Sequence, residues 1–121
     1  MSKITVMSSS GSTIGYIDGE YITNSSGSTI GRVRDGYIMS SSGSTSARFS
    51  SGTVSARTGS TVGRFRSGTA EDRSGSTIGY AKNGYITKRS GSTLGRYDGS
   101  PTDEQLVAIL GFFFDFWGGF E

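Results

Sequence analysis

The chain has 121 residues, of which 32% are apolar, 20 are Gly, one is Pro and none is Cys or His; 12 basic and 10 acidic residues give a formal net charge of +2. That length suits one compact domain, here expected over residues 1–121. The missing Cys excludes disulfides and thiolate chemistry, and the missing His removes the commonest general base and metal ligand. The near balance of charge lacks the clustered positive charge of a nucleic-acid binder.

The first element is KITVMSSS, residues 3–10. The start MSKITVM holds one Lys and then alternates, without the apolar run or the small-residue cleavage site of a secretory signal, so a cytoplasmic protein is expected. The same eight residues match the second half of the unit that follows, as YITNSS and YITKRS do.

From residue 11 the chain repeats. Gly11, Gly27, Gly43, Gly59, Gly75 and Gly91 open GST triplets spaced sixteen residues apart without an insertion, and SGSTIGY at 10–16 returns unchanged at 74–80. The fourth place of each unit holds Ile14, Ile30, Ser46, Val62, Ile78 and Leu94; the seventh holds Ile17, Val33, Phe49, Phe65, Ala81 and Tyr97; the twelfth holds Ile22, Ile38, Val54, Ala70 and Ile86. These are read as three apolar rungs. Two turn signals per sixteen residues leave room for two strands of about four to six residues and for no helix. One signal is the SSG, RSG or TG before each ST; the other is IDGE, RDGY, SSGT, RSGT, KNGY or YDGS, where Asp-Gly and Asn-Gly supply the positive φ of a tight hairpin.

The array starts and stops in mid-unit. Cutting at the second kind of turn gives six hairpins, residues 4–17, 20–33, 36–49, 52–65, 68–81 and 84–97. An open array would expose an unpaired strand at each end, so a closed or nearly closed ring is expected over residues 3–99.

The last element, SPTDEQLVAILGFFFDFWGGFE, is of another kind. Ser100 or Thr102 is a candidate N-cap, Pro101 suits a first helical position, Thr102 and Gln105 form a capping box, and Asp103 and Glu104 complement the helix dipole. A helix within residues 100–118 is predicted, running to about Trp117 and stopped by Gly118 and Gly119. Leu106, Ile109, Leu110, Phe112, Phe113, Phe114, Phe116 and Trp117 leave it almost no polar face, so it must be covered. It is too short to span a membrane and lacks the basic face of an interfacial anchor, which makes membrane contact the weaker reading. The stronger one packs it on or in the hairpin ring, within its own chain or shared with a second copy. About three medium apolar residues per hairpin are too few for a core without it.

The G-x-x-I-G-x-I core of GSTIGYI, the DG turn and the aromatic tail resemble the bacterial β-flower proteins, over residues 4–97 plus the tail. That resemblance implies small hairpins radiating around an axis and a family with no established activity. The expected fold class is therefore mainly β, six sixteen-residue hairpins in a ring with one C-terminal apolar helix.

Two arrays carry candidate chemistry. The sixth places, Tyr16, Arg32, Arg48, Arg64, Tyr80 and Arg96, would form one circle able to hold an anionic or lipid-like small molecule at the ring mouth. The plainer reading is a rung of long exposed side chains paired with Asp18, Asp35 or Glu71. The pairs Ser12/Thr13 through Ser92/Thr93 suit sugar hydroxyls, but Ser and Thr beside turns usually bond their own backbone. GST triplets are not nucleophile elbows, and no phosphate-binding loop or dinucleotide fingerprint occurs. Paired carboxylates fall only at turns or the helix start: Asp18/Glu20, Glu71/Asp72 and Asp103/Glu104. Of these, Glu71/Asp72 breaks the repeat and is read as surface variation, with a cation site as the alternative. No catalytic residue, metal or cofactor is expected, nor a nucleic-acid partner. The sequence points to a structural or interaction module that self-associates through its aromatic helix, with the anion-binding module as the alternative.

Overall fold

The computed structural model describes residues 3–114, 116 and 117. Twelve strands run β1 (Lys3–Ser8), β2 (Thr13–Asp18), β3 (Tyr21–Asn24), β4 (Thr29–Arg34), β5 (Tyr37–Ser40), β6 (Thr45–Ser50), β7 (Thr53–Ala56), β8 (Thr61–Arg66), β9 (Thr69–Asp72), β10 (Thr77–Lys82), β11 (Tyr85–Lys88) and β12 (Thr93–Asp98). Each pairs antiparallel with its chain neighbours, and β1 pairs with β12 from Thr5↔Asp98 to Ser8↔Gly95, so the ring is closed. The half-units at the two ends of the array meet in that seam.

Each hairpin tip is built alike. At the first, the Gly11 N–H donates to the Ser8 carbonyl at 3.0 Å and the Ser8 N–H to the Ser12 carbonyl at 2.8 Å, with Gly11 at φ 95. This is a tight turn closed by a left-handed residue, which glycine adopts without a Cβ clash. Between hairpins the turns are two residues long. Asp35-Gly36, Ser51-Gly52, Ser67-Gly68 and Asn83-Gly84 carry positive φ at both places, as type I′ requires. The first such turn differs from expectation. Asp18 is the last residue of β2 and pairs with Tyr21, so the turn is Gly19-Glu20, with positive φ at Gly19.

The inward rungs also differ from those read off the sequence. Residues at the fifth, seventh and twelfth places face the core: Gly15, Ile17 and Ile22 are buried, whereas Ile14 is half-buried. A regular strand cannot turn its fourth and seventh residues to the same side, because facing alternates every residue. In the β1–β2 pair Val6 lies opposite Gly15 and Met7 opposite Thr13, leaving Ile14 in a β-bulge. The same shift recurs in the other five hairpins. Bulging lets the fourth-place residue lean on the core edge while the fifth enters it.

Helix α1 (Asp103–Phe113) fills the axis of the barrel. Val107, Ala108, Ile109 and Leu110 are all wholly buried, which a helix lying on an outer wall could not achieve on every side. Around them close Ile17, Ile22, Ile38, Val54, Phe65 and Ile86. Volumes are matched across strands, for Phe65 lies opposite Ala70 and Ala81 opposite Ile86.

The capping box is present: the Gln105 N–H donates to Thr102 Oγ1 at 3.3 Å, and the Thr102 N–H to Gln105 Oε1 at 2.9 Å. Thr102 is thus the N-cap, and Pro101 lies ahead of it rather than in the first turn. The helix ends earlier than expected, at Phe113 instead of Trp117; the expected stop at Gly118 and Gly119 lies outside the described residues. Its early end follows from what the next side chains reach.

Candidate functional site

Five aromatic rings leave the end of α1 and spread over five hairpins. Phe112 lies against Gly31, Phe113 against Gly15, Phe114 against Gly95, Phe116 against Gly79 and Trp117 against Gly63. Each glycine holds the fifth place of its unit. A methyl on Gly31 would lie 2.7 Å from Phe112 Cζ, and one on Gly95 would lie 2.5 Å from Phe114 Cζ. Such distances are closer than carbon atoms pack, so the seats exist only because these residues lack a Cβ.

In chain order the rings visit neighbouring hairpins in turn around the ring. An α-helix makes 3.6 residues per turn, whereas this ring has six hairpins. Beyond the last helical pair, Phe112 and Phe113, successive residues therefore cannot stay helical and still each meet the next hairpin. The chain unwinds after Phe113 instead, with Phe114 at φ −122 and the Phe116 N–H still reaching the Leu110 carbonyl at 3.0 Å. Trp117 takes φ 56, and its indole N–H donates to the Glu71 carbonyl at 2.8 Å. The sixth hairpin has Ser46 and Ala47 where the others have a larger apolar residue and Gly. Ala47 is fully buried and pairs with Ala56.

The tail residues expected to pack on or in the ring or against a second copy, Leu106, Ile109, Leu110, Phe112, Phe113, Phe114, Phe116 and Trp117, all belong to or pack against this one core. Their rings sit in their own chain. Sequence reasoning missed the glycines that receive them, because the fifth-place Gly was given no role there. The signal was a count: five fifth-place glycines, one Ala, and five aromatics in FFFDFW.

Tyr16, Arg32, Arg48, Arg64, Tyr80 and Arg96 form a belt on the outer wall, since their neighbours at the fifth and seventh places face inward. Arg48, Arg64 and Arg96 are exposed, and Tyr16, Arg32 and Tyr80 half-buried. Much of the belt is stacked on aromatic faces. The guanidinium of Arg32 lies 5.3 Å from the Tyr21 ring centre, that of Arg48 5.5 Å from Tyr37 and that of Arg96 5.5 Å from Tyr85. Each is also a cross-strand pair, so the contact is set by register. Lys3 lies over Tyr16 from a diagonal place on the next strand, and Lys82 over Tyr80 two residues back on its own strand. The described ion pairs are those of Arg34, at 3.8 Å from Glu20 and 4.0 Å from Asp35.

Carboxylates at the turns serve the backbone. Asp72 Oδ1 accepts from the Ser74 and Ser76 N–H groups at 3.0 Å and from the Ser74 hydroxyl at 2.6 Å. The Ser74 hydroxyl, followed by the backbone donors, holds its pKa below the usual carboxylate value. Asn24 makes the same three bonds at the equivalent tip. Among the described residues no group of three or more Asp or Glu is placed to hold a metal ion. Glu104 Oε2 accepts from the Gly36 N–H at 2.6 Å, tying the helix start to a turn of the ring. No helix among the described residues is long and apolar enough to cross a membrane.

No curated protein and no solved structure matches the chain. A family model described as a 5-fold beta-flower protein matches residues 3–115. That description counts five where this barrel has six hairpins, five of which carry a glycine–aromatic pair. The β-flower family is not a known enzyme family and its role is unknown. A match over nearly the whole chain, on hairpins that surround an axial helix, makes the protein a member of the β-flower family.

Proposed function

We propose that the chain is a contact module which acts through its outer surface rather than by catalysis, and that its partner is a second copy of itself. The observation that carries this reading is the sorting of charge on that surface. Asp18, Glu20, Asp35, Asp98, Asp103 and Glu104 gather at the end of the barrel where α1 begins, mostly on one side of the ring, where they outnumber Lys3 and Arg34. Arg48, Arg64, Arg66 and Lys82 stand on the wall of β6 to β10, where Glu71 is the nearest carboxylate by register. Two copies can therefore meet acidic end to basic wall, an arrangement favoured by complementary potentials. The tail aromatics are already seated in the core, so this contact replaces the tail as the surface for self-association. Sedimentation velocity in low and high salt tests it, because exposed charges are screened within about 10 Å at 0.1 M salt. Association should fade as salt rises and vanish in the Arg48→Ser, Arg64→Ser, Arg66→Ser triple variant. A chain that stays monomeric at low salt and high concentration overturns the reading.

A second reading has the belt hold a small anion. It is favoured by Arg32, whose Nε is buried without a hydrogen-bond partner, a donor left for a ligand to satisfy. Native mass spectrometry of the purified chain would show the bound molecule, and replacing Arg32, Arg48 and Arg64 with Ser would release it.

A further inference from the structure

Between two neighbouring hairpin tips, those of β7–β8 and β9–β10, lies a cleft of about 470 Å³, within the usual size range of small-molecule sites. Its apolar lining comes from Ala56, Val62, Ile78 and Trp117, and Asp72 and Arg73 stand at its polar side. We propose that this cleft binds a free α-amino acid with an apolar side chain.

The charges decide the ligand class. An anion alone would meet Arg73 but also the carboxylate of Asp72, and a cation alone would meet the reverse. A zwitterion satisfies both, carboxylate to guanidinium and ammonium to carboxylate. Asp72 is suited to its part: Oδ1 is filled by its own turn, which fixes the side chain and leaves Oδ2 for an incoming donor. Arg73 makes no ion pair with any described residue. The apolar body of the ligand would lie against Val62 and Ile78, the half-buried bulge residues of adjoining hairpins.

The site also has features its equivalents lack. At the tip of the next hairpin the two polar places hold Lys88 and Arg89, two positive charges, and at the tip of β3–β4 they hold Asn24 and Ser25, neither charged. The opposed pair Asp72/Arg73 occurs once in the ring. Beneath it the aromatic is Trp117 rather than Phe, held by its bond to Glu71 at a positive φ that a bulky residue adopts only under constraint.

Trp117 is the sole tryptophan of the chain, so its emission reports occupancy. Titration with L-phenylalanine should change that emission saturably. Phenylacetate and phenethylamine, which each keep one of the two charges, should bind at least tenfold more weakly. Arg73→Ser and Asp72→Asn should each weaken phenylalanine binding at least tenfold. Arg73→Ser should melt like the parent, because Arg73 is exposed, and Asp72→Asn should keep the cooperative fold, because Asn24 shows that an amide makes the same turn. Arg89→Ser, at the neighbouring tip, should leave binding unchanged. The proposal is overturned by no saturable change up to the solubility limit, by phenylacetate binding as tightly as phenylalanine, or by full binding in Arg73→Ser. It is independent of the contact between copies, which is read by sedimentation.

Discussion

Gly79 and Phe116 approach so closely that a methyl on the glycine would lie 2.7 Å from the ring Cζ and 2.5 Å from the Thr87 carbonyl oxygen. Gly79→Ala should therefore cost about 1–3 kcal/mol, the usual penalty for forcing volume into a packed core. Phe116→Ala, which empties the seat, should cost about 3–5 kcal/mol. In the double variant the two costs should fall short of their sum, since the ring is no longer there to collide with. Urea denaturation of the three variants measures this; strict additivity would mean that ring and glycine do not share a seat.

The axial helix should dominate stability. Ile109→Ala removes a wholly buried side chain and should cost about 2–5 kcal/mol. Removing the chain from Pro101 onward should abolish cooperative melting, because the inward faces of all six hairpins would then line a void. A truncated chain with a sharp thermal transition would show that the ring supports itself.

At the start of that helix, Thr102→Ala should cost about 1 kcal/mol by opening the capping box. Glu104→Ala should cost about 1–3 kcal/mol, as the half-buried Gly36 N–H loses a charged acceptor. Hydrogen exchange separates the two: loss of Glu104 should deprotect the Gly36 amide, and loss of Thr102 should deprotect that of Gln105.

Asp72 should give the protein a small acid-sensitive increment. Its pKa is lowered in the folded state, so the unfolded chain takes up its proton first as pH falls. The stabilisation is present above the unfolded value of about 4 and disappears as pH drops through the folded value. Asp72→Asn should remove that part of the pH dependence while keeping the turn, as Asn24 does. Denaturation midpoints compared between pH 6 and pH 2 check this; equal acid sensitivity in both proteins would contradict it.

Period, hairpin count, ring closure and the capping box were legible because each rests on local chemistry: Gly at positive φ, alternating strands, and an N-cap three residues before its partner. The bulge at Ile14 and its equivalents was not, since two apolar places three apart look like one face until pairing shows which residue is extra. The unwinding after Phe113 was hidden for a different reason. LVAILGFFFDFW reads as helix on composition, and only the sixfold surround calls for a turn wider than that of an α-helix. The belt of Tyr16 to Arg96 could be counted from the sequence, but its stacking on Tyr21, Tyr37 and Tyr85 depends on a cross-strand register that the bulges set.

Ala47 has a meaning that its burial alone does not convey. A near-symmetric socket would accept its plug in six orientations, and rotation by any step would bring one of the five described rings onto the Ala47 methyl. Only one setting leaves every ring facing a glycine. A single extra carbon thus adds to the short link from β12 and the Glu104–Gly36 bond in keying a repeating ring, and placing glycine there should loosen that selection.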